Sequence, residues 1–417
     1  MNNEHKIILF TSIAHFFSHV YELTFPALAI PLMLSLNVSL SEVLKLSFLM
    51  YLLLGLCALP WGMVADRYGS RKILTVFFIG SGLGAILTAL SDTGHSITFA
   101  LAVIGFFASI YHPVGISLIS LGVRNRGLAL GINGAAGSIG IAIAPFMAGM
   151  LNWLAGWQLT YFIIGFLSIG FGITLFLVKI DELPVHHQDL PENSQDNFSN
   201  LKFFVILCVV STIGGLVYRM NTIVLPAYLE FKADFLWKFF QSIEITRTEG
   251  MTTVAATLLA SLVYVVGIFG QIAGGKMADR YDLRWVYLTF YGLSLPFLIL
   301  MAFLSNQALV VTAGIYIFFA LGMQPAENSL VARFTPGRWR STGYGIKFIL
   351  FFGVGSLAVF IAAWIQSVWN LSTVYLFSAG AVIVMISGIG YLIHSSRHVI
   401  CRNVSERDIE TFEKCVP

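Results

Sequence analysis

Charge is what this sequence has least of. Asp, Glu, Lys and Arg make up 11% of its 417 residues, against roughly a quarter in a soluble domain. So thin a supply excludes a water-facing surface of ordinary size. Cysteine is also scarce: Cys57, Cys208, Cys401 and Cys415 show neither metal-ligand nor redox spacing, which argues against a disulfide framework. No phosphate loop of the G-x-x-x-x-G-K-[ST] type occurs, so ATP-driven pumping by this chain is not expected, and no cofactor is implied. The net charge of +3 is scattered through loops rather than gathered in a patch, so nucleic acid is not an expected partner. The opening MNNEHK runs into an apolar stretch carrying His15, His19 and Glu22, which does not read as a cleaved signal. Long runs without two-residue alternation exclude a membrane β-barrel.

What fills the chain instead is hydrophobic residue, 57% of the total. Runs of about twenty apolar residues, each able to cross about 30 Å of hydrocarbon, recur throughout. Twelve spanning helices are expected, over 7–35, 43–65, 73–91, 96–122, 127–154 and 158–179, then 201–229, 252–274, 285–304, 308–332, 342–366 and 371–394. The expected fold class is an all-α polytopic membrane protein of two six-helix bundles, 1–179 and 201–394. Between them, 180–200 is polar and contains proline, and reads as a cytoplasmic linker in which His186 and His187 are ordinary polar residues. Residues 395–417, with Cys401 and Cys415, read as a disordered cytoplasmic tail, with partner binding or lipidation as the alternatives. The insert 230–250 carries Phe235, Leu236, Trp237, Phe239 and Phe240, the composition of a short helix on the membrane surface.

Lys and Arg set the orientation. Arg67, Arg71 and Lys72 lie between helices 2 and 3, Arg124 and Arg126 between 4 and 5, Lys276, Arg280 and Arg284 between 8 and 9, and Arg333, Arg338 and Arg340 between 10 and 11. The alternate short loops have none. Both termini are therefore expected in the cytoplasm, in a plasma membrane or, in a prokaryote, the inner membrane. Trp61, Trp153, Trp157, Trp285, Trp364 and Trp369 fall near predicted helix ends, where indoles favour the headgroup zone.

The two halves repeat each other. GMVADRYGSRK at 62–72 returns as GKMADRYDLRW at 275–285, a step of 213 residues. YHP at 111–113 returns as MQP at 323–325, RNRGLALGI at 124–132 as RWRSTGYGI at 338–346, and VYE at 20–22 as VYR at 217–219. Duplicated halves around a central site are the common plan of secondary transporters.

The first repeated segment resembles the signature of the major facilitator superfamily, matched by Gly62, Asp66, Arg67, Gly69, Arg71 and Lys72. The second copy keeps Gly275, Asp279, Arg280 and Arg284, with Asp282 where the later glycine stands. The resemblance implies a cytoplasmic gate whose acid pairs in one conformation and releases in the other. In helix 5, Gly131, Gly140, Pro145 and Gly149 are similar to the pattern of the superfamily's exporting antiport branch, although Ala144 and Ala148 stand where glycines are usual. Small residues there suit close packing, and Pro145 a bend. SIAHFFSH (12–19), IYHPVG (110–115), RGLALGINGAAGSIG (126–140) and LVARFTPGRWRSTGYGI (330–346) resemble the fosmidomycin-resistance-type efflux subfamily.

Ionisable groups inside a membrane are costly enough to mark function. Glu22, His112, Arg219, Glu327 and Lys347 stand out, and the resemblance implies that helices 1, 4, 7 and 10 bring such groups to one cavity. Glu22 and Arg219 occupy matching places in the two halves and are expected to share a charge pair or network, with Glu22 the first choice of proton carrier and Glu327 the second. A purely structural buried pair is the alternative for each. His15 and His19 are four apart, a turn before Glu22, a spacing that suits a proton relay or a metal. Asn133, Gln271, Gln324 and Asn221 would add uncharged contacts. Lys347 either joins the cavity or snorkels to the cytoplasm. The expected function is proton-coupled export of a small organic compound by alternating access, in a monomer that is no enzyme. A metal-ion or metal-chelate transporter and a non-transporting membrane sensor or assembly protein are the rivals.

Overall fold

Four of these helices break near a proline, although Pro145, Pro226 and Pro296 lie inside continuous helices. The computed structural model describes residues 2–182, 201–242, 250–335 and 340–396, and every regular element among them is helical. Helix 1 runs over Asn3–Ala27, bends by 50° and continues as Ala29–Leu36. Helix 2 is Leu40–Leu46, Phe48–Leu56 and Ala58–Tyr68, with a 46° bend before the last piece. Both were expected as single spans. Pro31 and Pro60 each lie three residues beyond the break, where the ring removes a backbone donor and crowds the preceding turn. Helix 4 (Gly94–Ala108 and Tyr111–Gly122) breaks just before Pro113, and helix 10 (Asn306–Gly322 and Gln324–Phe334) just before Pro325. The YHP and MQP repeats thus mark the same break in each half.

The remaining spans are helix 3 (Ser70–Ala89), helix 5 (Arg126–Ala155), helix 6 (Trp157–Leu177), helix 7 (Leu201–Lys232), helix 8 (Met251–Arg280), helix 9 (Leu283–Met301) and helix 12 (Leu371–Ser395). Helix 11 is irregular: Arg340–Phe348, a π turn Ile349–Gly353, a 3-10 turn Val354–Leu357, then Ala358–Val368. Counting each bent pair as one span, the described residues hold up to twelve membrane-length segments. A short helix, Phe235–Ser242, follows helix 7, buries none of its residues and carries an Asp234–Lys238 ion pair at 2.7 Å. Residues 183–200, 243–249, 336–339 and 397–417 lie outside the described residues, and with them His186, His187, Arg338, Cys401 and Cys415.

The two sets of six pair alike. Helix 1 packs on 5, 2 on 4 and 3 on 6, and correspondingly 7 packs on 11, 8 on 10 and 9 on 12. Helices 5 and 8, 2 and 11, and 1 and 7 join the halves. This is an all-α polytopic membrane fold. The joins are tightest away from the basic loops. There Ser41 donates to the Ala363 carbonyl at 2.9 Å, the Phe48 and Phe360 rings lie 4.4 Å apart, and the Phe146 amide donates to Ser261 at 3.0 Å. Midway, a Cβ on Gly55 would stand 2.1 Å from the Gly353 nitrogen, so helices 2 and 11 cross backbone to backbone.

Trp285, Trp364 and Trp369 are about half exposed. Trp157 is not: it is buried, and its indole donates to Ser35 at 3.2 Å, so this ring locks helix 6 to the end of helix 1.

Candidate functional site

His15, His19 and Glu22 of helix 1 share one face because they recur at one-turn spacing. Along that face the His15 and His19 Nε2 atoms stand 3.2 Å apart, and His19 Nδ1 lies 2.9 Å from Glu22 Oε2. Glu22 Oε1 accepts from Arg219 Nη2 of helix 7 at 2.8 Å, with both residues almost wholly buried at 3% and 1% exposure. Burial at that level demands this pairing, since neither charge has water. Tyr51 of helix 2 lies under the guanidinium, 3.6 Å from ring centre to Cζ, and donates its hydroxyl to the Glu22 carbonyl at 2.9 Å. Among the described residues, the buried Arg219 Nη1 has no hydrogen-bond partner.

Helices 4 and 5 close the other side. His15 Nδ1 lies 2.8 Å from the Asn133 carbonyl, and Asn133 Oδ1 accepts from Tyr111 at 2.6 Å. His112 brings its ring within 5.6 Å of His15 and 5.8 Å of His19, centre to centre, and stacks on Phe348 and Phe352 of helix 11. The break before Pro113 turns it there. The π turn in helix 11 begins beside the stacked phenyl rings, a kind of irregularity that recurs at functional sites.

A second buried pair lies in the other half. Lys347 Nζ stands 3.0 Å from Glu327 Oε2 and donates to Asn328 Oδ1 at 2.8 Å. Glu327 Oε1 accepts from Ser211 of helix 7 and, at 3.2 Å, from Tyr287 of helix 9. Lys347 is 6% exposed, so the snorkelling alternative fails: a carboxylate inside holds the ammonium there. Ser138, Gln271 and Gln324 form a chain from helix 5 through helix 8 to helix 10, with steps of 2.9 and 3.1 Å. Asn221 is buried, and its Oδ1 meets no donor among the described residues.

The repeated loops sit apart from these networks. Asp66, Arg67, Asp279 and Arg280 are exposed, and neither aspartate makes an ion pair among the described residues. Each loop instead ties the start of one helix to the end of another. Glu182 accepts from the Ser70 and Arg71 amides at 2.7 and 2.8 Å, capping helix 3, while Arg71 donates to the Val178 carbonyl at 2.7 Å. Gly69 turns the chain at φ +95° beside that carboxylate. In the second copy the departure at Asp282 supplies the missing cap: it accepts from the Arg284 amide at 2.9 Å and from Nε and Nη2 at 2.9 and 2.6 Å. Arg284 Nη1 then reaches Ser396 beyond helix 12 at 2.7 Å. Burial alone would raise the Asp282 pKa, but the hydrogen bonds and charge of Arg284 outweigh it and hold the carboxyl below its ordinary value. Among the described residues, Lys72 makes no ion pair across the halves.

The glycines of helix 5 divide. A Cβ on Gly140 would lie 2.6 Å from the Phe16 carbonyl oxygen, and one on Gly149 2.0 Å from Thr257 Oγ1 across the halves. Among the described residues, a Cβ on Gly131 or Gly275 meets nothing within 4 Å at the loop-bearing end, and one on Gly62 only Pro113 at 3.4 Å, so close packing does not explain Gly131 here. Pro145 lies inside an unbroken helix. Sequence reasoning missed Gly137, where a Cβ would sit 2.5 Å from the His15 ring, along with Tyr51, Ser211, Tyr287, Asn328 and Glu182. The i−4 spacing of Gly137 from Asn133 was the one available signal.

Comparison with known proteins agrees with this frame. A family description, Major Facilitator Superfamily, matches residues 8–243 and 207–399. The multidrug resistance protein MdtG of Proteus mirabilis is 25% identical over 59% of this chain and 59% of its own length. The membrane sensor protein UhpC of Salmonella typhimurium is 23% identical over 69% of this chain and 70% of its own. Among solved structures, a mutant form of the nucleoside transporter NupG superposes with a TM-score of 0.73 at 15% identity, covering 93% of this chain and 99% of that one. A bacterial homolog of the human lysosomal transporter Spinster, inward-facing and occupied, gives 0.70 at 14%, with 95% and 97% covered. With like-paired halves, charges buried between them and a family match over nearly the whole length, the chain belongs to the Major Facilitator Superfamily.

Proposed function

We propose that this secondary transporter exports a small organic compound in exchange for protons, by alternating access between two six-helix halves, 1–179 and 201–394. The names of relatives support the direction: besides MdtG, the methylenomycin A resistance protein of Bacillus subtilis is 32% identical over 25% of this chain and 23% of its own length. The Asp-Arg loops face the cytoplasm in this reading, both termini lie on that side, and the protein works as a monomer in a cell's plasma or inner membrane.

The observation that carries proton coupling is the contrast between the two buried pairs. Arginine does not deprotonate in a protein, so Arg219 always needs the Glu22 charge. Lys347, by contrast, has a second and neutral acceptor in Asn328 Oδ1 beside the Glu327 carboxylate. Glu327 can therefore take up one proton from outside the pair, and the pair gains one positive charge while the Lys347 ammonium keeps a hydrogen-bond acceptor. That ranking reverses the order expected from sequence: Glu327 carries the proton, while Glu22 and Arg219 hold helices 1 and 7 together. Arg219 Nη1, Asn221, Asn133 and Gln324 offer polar contacts for cargo.

Proteoliposomes with an internal pH dye and a panel of organic compounds test this. A transported compound should move protons the opposite way, and Glu327→Gln should leave downhill flux while abolishing proton movement. Flux indifferent to a pH gradient in the native protein would overturn the coupling. A sensor role is the second reading, favoured by the likeness to UhpC, and silence across every substrate class would select it.

A further inference from the structure

We propose that His15, His19 and His112 form a binding site for a divalent transition metal of the zinc class, independent of the proton coupling assigned to Glu327. The argument starts from hydrogen-bond chemistry. A carboxylate and a backbone carbonyl only accept, so the Nδ1 atoms facing Glu22 Oε2 and the Asn133 carbonyl must both carry hydrogen. With both rings neutral that fixes the tautomers: both Nε2 atoms present lone pairs, and these stand 3.2 Å apart. Two acceptors so placed repel unless a proton or a metal cation lies between them, and the third histidine beside them favours the metal. On a tetrahedral zinc with bonds of about 2.0–2.1 Å, two ligand nitrogens stand about 3.3 Å apart. The helix 1 pair already has that spacing.

The third ligand comes from another helix. Ligand atoms of His15, His19 and His112 all lie within 4.8 Å of one another, so His112 needs to move by about 1.5 Å to reach tetrahedral spacing. Its ring stacks flat on Phe348 and Phe352, faces along which it can slide. The outer partners are those that metal-bound histidines use: a carboxylate on one ring and a backbone carbonyl on another, each orienting the ring and raising its basicity. Gly137 keeps the space that His15 occupies. Three protein ligands leave a fourth position for water or for a donor atom of a bound compound.

The test needs no transport, so its failure and the failure of the export reading are separate events. Protein purified on a tag without histidine is stripped with a chelator and titrated with Co2+, then Zn2+. Expected are about one equivalent of Co2+ with the visible absorption of a tetrahedral site and its displacement by Zn2+. His15→Ala and His112→Ala should each weaken binding at least about tenfold, while the exposed His5→Ala and His95→Ala leave it unchanged. Absence of saturable binding in the native protein overturns the proposal, and this measurement depends on no variant folding. Binding indifferent to His112→Ala overturns the three-ligand site.

Discussion

At the scale of single residues, Glu22 is a group whose loss the fold should tolerate poorly. Glu22→Gln keeps shape and volume but removes the one carboxylate that, among the described residues, pairs with a guanidinium that is 1% exposed. Breaking one side of such a buried pair costs about 3–5 kcal/mol. Thermal unfolding in lipid nanodiscs should show that loss, and the double variant Glu22→Gln, Arg219→Gln should recover much of it. A single variant as stable as the native protein would mean that the charge at Arg219 is balanced elsewhere. What made these residues visible in sequence is that a charge in an apolar run cannot be mistaken for packing. Tyr51 is the counter-example. An aromatic residue in a hydrophobic helix reads the same whether it faces lipid or a guanidinium, and only the reach of the Arg219 side chain from helix 7 to Tyr51 decides. The pairing of Lys347 with Glu327 was hidden for the same reason, because the choice between inside and snorkelling depends on which way helix 11 is turned.

At the scale of elements, helix ends and crossings were less legible than helix existence. The twelve apolar runs announce themselves, yet four of the spans break near proline, and a membrane helix tolerates proline wherever neighbours satisfy the freed groups. The cap of helix 3 could not be foreseen, since Glu182 comes from a polar segment over a hundred residues away, whereas Asp282 stands where a cap belongs but was read as a lost glycine. Asp282→Ala should cost about 0.5–2 kcal/mol at neutral pH, as lost N-caps do. The sign with pH follows from the lowered carboxyl pKa: the stabilisation is complete above the ordinary Asp value of about 3.9 and disappears as pH falls through the lower folded value. Unfolding midpoints of the native protein and the variant should therefore converge in acid, and a constant gap would count against the Arg284 clamp. Crossings give a second contrast. Gly55→Ala drives a methyl into the Gly353 backbone, which has no flexible end to yield, and should cost about 1–3 kcal/mol, while Gly131→Ala meets nothing within 4 Å and should cost little in this conformation. Equal stabilities for the two would refute the glycine-to-glycine crossing.

At the scale of the whole molecule, contacts between the halves are concentrated at one end. Gly149 lies against Thr257 at the tight end, while Gly131 and Gly275 face open space at the end bearing the loops. If the halves rock, Gly149 is in contact now and Gly131 comes into contact when the loops approach. The two glycines should then bias the equilibrium in opposite directions. Gly149→Ala places a methyl 2.0 Å from Thr257 Oγ1 and penalises the present state, whereas Gly131→Leu fills space that the opposite state requires. A penalty of about 1–3 kcal/mol on one state shifts the ratio of states by about 5–150-fold. Spin labels at the exposed positions Tyr68 and Tyr281, one on each loop, report the separation in a background lacking the native cysteines. Gly149→Ala should build up short distances and Gly131→Leu should remove them. Distance distributions that move the same way in both variants, or in neither, would show that these glycines pack within a rigid body, and the rocking of the halves would lose its structural support.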